Sequence, residues 1–241
     1  MRRVFIIGHR GAPVEAPENT IPSFIKAIES GADFIEIDVR STKDGVLIVL
    51  HDSGVDRTTN GSGPVSEMMF SEVRRLDAGG WFSEKYRGVT IPSFDEVLDI
   101  AEGRIGIAVE IKTAGIEGEI VDKICERGLE DDVIILSSIW SSLRKVKRLN
   151  PRLTVMADLP NPIPEKLREA MGTYANLVSI HKSRLDKRFV QYCHRRGLLV
   201  NTWPINTVEE FTAAVEKEAD FITTDNPALL VSILKQGFES K

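Results

Sequence analysis

A parallel (β/α)8 barrel, a TIM-type α/β fold, is the class this sequence predicts, and three observations predict it. Eight short apolar runs alternate with helix-period segments of ten or so residues. Residues of unusual chemistry fall at or near the carboxyl ends of those runs, where parallel barrels carry their active sites. The turn after the first run reads Gly8-His9-Arg10-Gly11, without the GxGxxG spacing that a doubly wound nucleotide-binding sheet needs. The length of 241 residues and a hydrophobic content of 42% suit one barrel over 1–241 as well as two small domains, and the single barrel domain is the organisation expected.

The first strand is read over Val4 to Gly8. In the following helix Ile21, Phe24, Ile25 and Ile28 share one face, with Asn19 or Thr20 as cap and Gly31 as stop. The second strand, Phe34 to Val39, leads to an Asp44-Gly45 turn. Read as a two-residue turn, it pairs Lys43 with Val46, Val39 with Leu50 and Asp38 with His51. From about 53 to 90 the pattern changes to a Thr58-Thr59-Asn60-Gly61 loop, one helical stretch near Ser66 to Leu76 and the aromatic Gly79-Gly80-Trp81-Phe82. This is an insertion over one end of the barrel.

Ser93 and Glu96 form a capping box ahead of a helix marked by Phe94, Val97, Leu98 and Ala101. The remaining strands are expected at Ile105 to Lys112, Val133 to Ser137, Leu153 to Ala157, Leu177 to Ile180, Leu198 to Trp203 and Phe221 to Thr224. Gly128, Asn150-Pro151, Gly172, Gly197, the Thr207/Glu210 box and Asn226-Pro227 punctuate the helices between them.

A formal charge of −5 offers no whole-molecule attraction to nucleic acid or to an anionic membrane, so an anionic substrate must be held by local groups. The basic run Arg144, Lys145, Lys147, Arg148 surrounds Leu143, Val146 and Leu149 and reads as the wet side of an amphipathic helix. Cys125 and Cys193 are isolated, with neither a disulfide framework nor a CxxC metal pair. The apolar run after Met1-Arg2-Arg3 is too short for a signal peptide, and no stretch reaches membrane-spanning length. A cytoplasmic location without stable membrane insertion is expected; the oligomeric state is left open.

Chemistry begins on the second strand. Alternation sends Phe34, Glu36 and Asp38 to one face and Ile35, Ile37 and Val39 to the other. Neighbouring buried carboxylates are costly unless a cation lies between them. Glu110, which shares a face with Lys112 on the next parallel strand, adds a third acid. Three carboxylates with no cysteine suit a hard divalent cation, Mg²⁺ or Ca²⁺, better than zinc. The competing explanation is a structural salt-bridge network of these acids with Lys112 and Arg10.

His9 and His51 stand where the first strand and the hairpin meet the acids, placed to supply a base and an acid near neutral pH. His181 and His194 read as surface or satisfied histidines. Arg10 and Lys112 can hold an anionic group, and Trp203 can wall the pocket. Together these residues are suited to cleavage of a phosphate ester.

The ordered series His9-Arg10-Gly11, Pro17-Glu18-Asn19-Thr20, Glu36-Ile37-Asp38-Val39, Thr42-Lys43-Asp44-Gly45, His51-Asp52, Arg57-Thr58-Thr59-Asn60-Gly61, Val109-Glu110-Ile111-Lys112 and Thr224-Asp225-Asn226-Pro227 resembles the glycerophosphodiester phosphodiesterases over nearly the whole chain. The resemblance implies a TIM-type barrel with a small insertion that hydrolyses glycerophosphodiesters, small-molecule substrates, to glycerol 3-phosphate and an alcohol with a divalent metal. It implies that Glu36, Asp38 and Glu110 hold the metal, that His9 and His51 act as general base and general acid, and that Arg10 and Lys112 contact phosphate. Trp203-Pro204-Ile205-Asn206 departs from the family's usual Thr or Ser, then Val-Asn, after the tryptophan. The attacking group is water or the neighbouring glycerol hydroxyl, the latter through a cyclic phosphate. Two other readings are a lysophospholipase D-like enzyme acting on lipid chains, with Met68, Met69, Phe70, Trp81 and Phe82 as its apolar groove, and a non-catalytic phosphodiester-binding protein.

Overall fold

Strict side-chain alternation on the second strand decides how the molecule is layered. In the computed structural model, which describes residues 3–239 and the side chains of 3–236, Ile35, Ile37 and Val39 are fully buried beneath helices. Phe34, Glu36 and Asp38 face the opposite way, into a closed ring of strands. Met1, Arg2, Ser240 and Lys241 lie outside the described residues.

Eight parallel strands close that ring: β1 (Phe5–Gly8), β2 (Phe34–Ser41), β4 (Gly106–Ile111), β5 (Val133–Ser137), β6 (Thr154–Asp158), β7 (Leu177–His181), β8 (Leu199–Trp203) and β9 (Phe221–Thr224). Closure comes from β1, which pairs with β2 on one side and β9 on the other. A short β3 (Leu47–Val49) pairs antiparallel with β2 outside the ring. The helices are α1 (Ile21–Ser30), α2 (Phe70–Val73), α3 (Phe94–Ala101), α4 (Glu117–Glu126), α5 (Trp140–Leu149), α6 (Pro164–Met171), α7 (Lys187–His194), α8 (Val208–Glu216) and α9 (Pro227–Glu239). The expected barrel is therefore the observed fold, and the expected strands differ from the observed ones by a residue or so at their ends.

Local signals act where they were expected. Ser93 accepts from the Glu96 backbone while Glu96 reaches back to the Ser93 amide, the reciprocal cap of α3. Gly31 ends α1 in the left-handed conformation, and Pro227 opens α9. The Thr207/Glu210 pair is only half of a box: Thr207 caps α8, but the Glu210 carboxylate turns to the Asn206 amide instead.

The hairpin register differs by one residue from the two-residue reading. Val39 pairs with Val49 and Ser41 with Leu47, and the Asp38 carbonyl accepts from Leu50, not His51. The reason is that Gly45, at φ 86°, sits in a three-residue turn with a bulge: its amide bonds the Thr42 carbonyl, and Thr42 pairs with Val46. His51 is therefore one step beyond the last pair. The expected single helix near Ser66 to Leu76 is likewise two shorter pieces, a 3₁₀ turn at Val65–Glu67 and α2, separated by extended Met68 and Met69.

Two layers of apolar side chains frame the barrel wall. Outside it, helices and strands bury a continuous shell that includes Phe24, Ile37, Leu98, Val109 and Val155, each fully buried residue of this kind contributing about 1.5–3 kcal/mol. Inside, Phe5 stacks on Phe221 with ring centroids 4.8 Å apart, and Phe34 tilts against Phe221 at 5.9 Å. A side chain at Gly106 would meet the Phe34 ring at 2.4 Å, so glycine is required there. Ile7, Ala108, Leu136 and Met156 complete the plug, which is an apolar floor for whatever lies above it. Between β3 and α3, Val55, Val65, Val73, Ala78 and Ile91 form a separate small core that also takes up Met68 and Phe70.

Candidate active site

Above that floor, at the carboxyl ends of the strands, is a cavity of about 240 Å³. His9, Arg10, Glu36, His51, Glu110, Lys112 and Trp203 all line it. Asp38 lies beneath, fully buried, and completes the acidic cluster: one oxygen from each of Glu36, Asp38 and Glu110 lies within 4.8 Å of the others. The parallel register explains the convergence, because Asp38 pairs with Glu110 across β2 and β4.

The loop after β1 folds into the cluster through two strained residues. Arg10 and Asn19 take left-handed backbone conformations, at φ 54° and 56°. Arg10 donates its amide to Glu36 Oε2 at 2.8 Å, and its guanidinium spans Glu18 at 2.8 Å and Asp38 at 3.4 Å. Asn19 donates from Nδ2 to Asp38 Oδ2 at 2.7 Å. Gly11, at φ 91°, lets the loop press onto α1: a Cβ there would stand 2.4 Å from Ser23 Oγ, which itself donates to the Arg10 carbonyl. Lys112 extends along β4 to Glu110 at 3.0 Å and Asp38 at 3.4 Å.

The charges are unevenly satisfied. Burial, together with the charges of Asp38 and Glu110, pushes the Glu36 carboxyl well above the usual range. Glu110 is raised by burial and by Asp38. Burial opposes ionisation of Asp38 too, but Lys112 and Arg10 outweigh it and hold its pKa down. Glu36 Oε1 and Asp38 Oδ1 are buried with no hydrogen-bond partner, while their sister oxygens are bonded. Buried carboxylate oxygens without a hydrogen bond in an all-oxygen cluster are what a hard divalent cation would satisfy, so the residues fit such an ion. Asp38 Oδ1 also lies 3.4 Å from Lys112 Nζ, so the salt-bridge network reaches that oxygen, whereas Glu36 Oε1 has neither a hydrogen bond nor an ion pair among the described residues.

Each imidazole has its own carboxylate. His9 Nδ1 bonds Asp225 Oδ1 at 2.6 Å, and His51 Nδ1 bonds Asp52 Oδ1 at 2.6 Å. With Nδ1 engaged, Nε2 is the nitrogen left for proton transfer. Burial lowers the His51 pKa despite the opposing pull of Asp38 and Asp52. Arg57 donates to Asp52 at 2.6 Å and holds its pKa far down. Arg57 also forks onto both oxygens of Glu18 at 2.7 and 2.9 Å. A chain of alternating charge thus runs from His51 through Asp52, Arg57 and Glu18 to Arg10.

The sequence alone assigns no site role to Asp52, Asp225, Glu18 or Arg57, and reads Asn19 only as a candidate helix cap, a position that Thr20 takes while the Asn19 side chain reaches Asp38. Asp52 adjoins His51, and the others stand within quoted motifs, so their presence was visible; which group each touches depends on loops whose course no periodicity predicts. His181, expected to be unremarkable, stands edge-on to Trp203 with centroids 5.4 Å apart, while His9 lies 6.4 Å from the same indole. His194 bonds Asp220 at 2.8 Å. Trp81 is 44% exposed and donates to the Ala78 carbonyl.

Acids suited to a cation, cations suited to an anion and imidazoles suited to protons meet at the barrel end where catalysis takes place, and this defines the class as a hydrolytic enzyme acting on an anionic ester. The model of the glycerophosphoryl diester phosphodiesterase family matches residues 9–229. A glycerophosphodiester phosphodiesterase of Caldanaerobacter subterraneus subsp. tengcongensis is 35% identical, with 98% of this chain and 99% of that protein covered. Among solved structures, a glycerophosphodiester phosphodiesterase from Agrobacterium tumefaciens superimposes with a TM-score of 0.85 at 30% identity, over 95% of this chain and all of that one. A phosphodiesterase of Oleispira antarctica, solved in complex with the product sn-glycerol-3-phosphate, gives 0.88 at 26% identity, with 96% of each chain covered. The chain belongs to the glycerophosphodiester phosphodiesterase family, and it is a phosphoric diester hydrolase.

Proposed function

We propose that this enzyme, as one barrel domain over 1–241 with its insertion at about 53–90, releases glycerol 3-phosphate and an alcohol from small glycerophosphodiesters by metal-assisted acid/base catalysis with two histidines. The single observation that carries the mechanism is the pair of buried oxygens without a hydrogen bond, Glu36 Oε1 and Asp38 Oδ1, in a cluster that Glu110 completes. Glu36, Asp38 and Glu110 would hold the ion, Mg²⁺ or Ca²⁺, which when bound supplies Lewis-acid polarisation of the phosphodiester.

Arg10 and Lys112 line the same cavity and hold the phosphate oxygens, with the fork of Arg10 kept in place by Glu18. His9, with Nδ1 bonded to Asp225, takes the proton of the attacking water as the new P–O bond forms, or that of the neighbouring glycerol hydroxyl, whose cyclic phosphate water then opens to glycerol 3-phosphate. His51, held by Asp52, gives a proton to the alcohol oxygen as its bond to phosphorus breaks. Trp203 walls the site. The alternative use of the insertion as a lipid groove has less support, since Met68 and Phe70 are taken up in the insertion's own core. A cytoplasmic enzyme accords with two cysteines that form no disulfide and with the finding that no helix among the described residues is long and apolar enough to cross a membrane.

The test is glycerol 3-phosphate release from several glycerophosphodiesters, with and without a chelator, by the wild-type enzyme and by His9→Ala and His51→Ala. Chelator-sensitive release that falls by about two orders of magnitude or more in each variant is expected. Unchanged turnover in either variant removes that histidine from the mechanism, and chelator-resistant release removes the metal.

A further inference from the structure

The cavity has a second side that the mechanism above does not use. Besides Ser138, just past β5, its polar residues there come from β6, β7, β8 and β9: Asp158, Ser179, Asn201 and Thr223. Adjacent strands bring them together, since Asp158 pairs with Ser179 and Ser179 with Asn201 in the parallel ladder. Three of the four satisfy one another. Thr223 Oγ1 donates to Asn201 Oδ1 at 3.0 Å, and Asn201 Nδ2 donates to Ser179 Oγ at 3.1 Å.

Asp158 is different. Inward-facing like Met156 two residues before it, its carboxylate lines the cavity yet receives no hydrogen bond from any side chain among the described residues. Burial raises its pKa and Lys112 opposes the rise, so the group lies within the field of the proposed phosphate-binding end. A carboxylate offers two oxygens with lone pairs and, when ionised, nothing to donate. Its complement is a ligand that brings hydroxyl hydrogens. In a glycerophosphodiester those are the free hydroxyls of glycerol, a short chain away from the phosphate.

We infer that Asp158 is the specificity-determining residue for the glycerol half of the substrate: its carboxylate accepts the free glycerol hydroxyls while Arg10 and Lys112 hold the phosphate. The inference rests on the glycerophosphodiester reading and deepens it. It explains selection as well as affinity. An acyl or alkyl group on those hydroxyls removes the donors and leaves Asp158 half-buried with no side-chain donor, which disfavours lipid-chain substrates more strongly than a lost contact alone would.

The test compares binding of sn-glycerol 3-phosphate with that of propyl phosphate, which has the same chain length and no free hydroxyl, by calorimetry on the metal-loaded enzyme. Wild type is expected to favour glycerol 3-phosphate by roughly 10- to 100-fold. In Asp158→Ala the ratio falls towards one while propyl phosphate binds no more weakly than before, since a negative charge near the phosphate is removed; in the isosteric Asp158→Asn the ratio falls about tenfold, because a charged acceptor becomes a neutral one. Asp158 has no side-chain partner in the protein to lose, so Asp158→Asn keeps the fold, which a thermal melt checks. Equal affinities in wild type, or a ratio that persists in either variant, overturn the inference. Turnover is a separate readout: a wild-type enzyme that cleaves no glycerophosphodiester sinks the functional reading, whereas one that does so while its Asp158 variants keep the hydroxyl preference sinks only the role of Asp158.

Discussion

Asn206 donates from Nδ2 to Oδ2 of Asp225 at 2.6 Å, and the other oxygen of that carboxylate holds His9 Nδ1 at the same distance. Asn206 is itself fixed, since its Oδ1 accepts from Thr224 Oγ1 and from the Asp225 amide. The relay keeps one ring nitrogen of His9 protonated and the other available. Asp225→Asn breaks this preference, because an amide in that place can present a donor to Nδ1. Turnover is expected to fall about 10- to 100-fold with metal affinity unchanged, and Asn206→Ala less steeply. Steady-state kinetics beside calorimetric metal titration check it; a loss of metal affinity of the same size would mean that Asp225 supports the fold of the site and not the imidazole.

Arg57 joins Asp52 to Glu18, and through them the His51 imidazole to the Arg10 guanidinium. Both contacts use the planar fork, which lysine lacks. Arg57→Lys is therefore expected to behave nearly as badly as Arg57→Ala, each reducing kcat by about tenfold through misplacement of His51 and Arg10. Full rescue by lysine would show that the positive charge alone matters at this position.

Glu36 links the site to the stability of the barrel. Its carboxyl is raised by burial and by neighbouring acids, so without a cation the unfolded chain releases that proton at lower pH than the folded one does. Stability of the chelated protein should then decline as pH rises above the ordinary glutamate range, until the folded-state pKa is passed. Divalent cation in hundredfold excess over its Kd is expected to restore about 2.7 kcal/mol. In Glu36→Gln the decline and the metal-induced rise should both shrink. Melting curves with chelator or added metal, across pH, measure them, and a Glu36→Gln protein that keeps the full metal-induced rise would exclude Glu36 as a ligand.

What could be read from the chain and what could not divide along a physical line. The alternation of Ile35, Ile37 and Val39 with Glu36 and Asp38 is local, and it sets both the layer of the barrel and the face of the acids. The same holds for Glu110 and Lys112. The Asp44-Gly45 pair does not fix the turn length, because a two-residue turn and a three-residue turn with a bulge both place glycine in the left-handed region. Met68 and Met69 lie within a stretch read as helix but have extended backbone, and Met68 packs on the insertion's small core. Arg57 and Glu18, like Asn206 and Asp225, belong to separate segments of the chain, and only closure of the ring brings β1 beside β9 so that His9 meets Asp225. Asp158 carried no motif and ended an ordinary apolar strand; its significance lies in the partners it lacks.

Away from the site, Glu117 at the start of α4 is almost fully buried and ionised. Ser142 donates to its Oε1 at 2.5 Å, Lys145 to its Oε2 at 2.8 Å, and the Gly115 amide to the same carboxylate. Burial opposes the charge, but these donors outweigh it and bring the pKa down from 4.5 to about 2. A depressed carboxyl pKa means that the folded state gives up its proton more readily than the unfolded one. The stabilisation is therefore complete above the unfolded value and drains away as pH falls from 4.5 towards about 2. Glu117→Gln should destabilise the protein by roughly 1–3 kcal/mol near neutral pH, through Lys145 and Ser142 facing an amide. Urea unfolding of both proteins near neutrality and at about pH 3 is the measurement, and the gap between wild type and variant should narrow on the acid side. A gap that stays constant across that range would show that α4 and α5 are joined there by shape and not by the charge of Glu117.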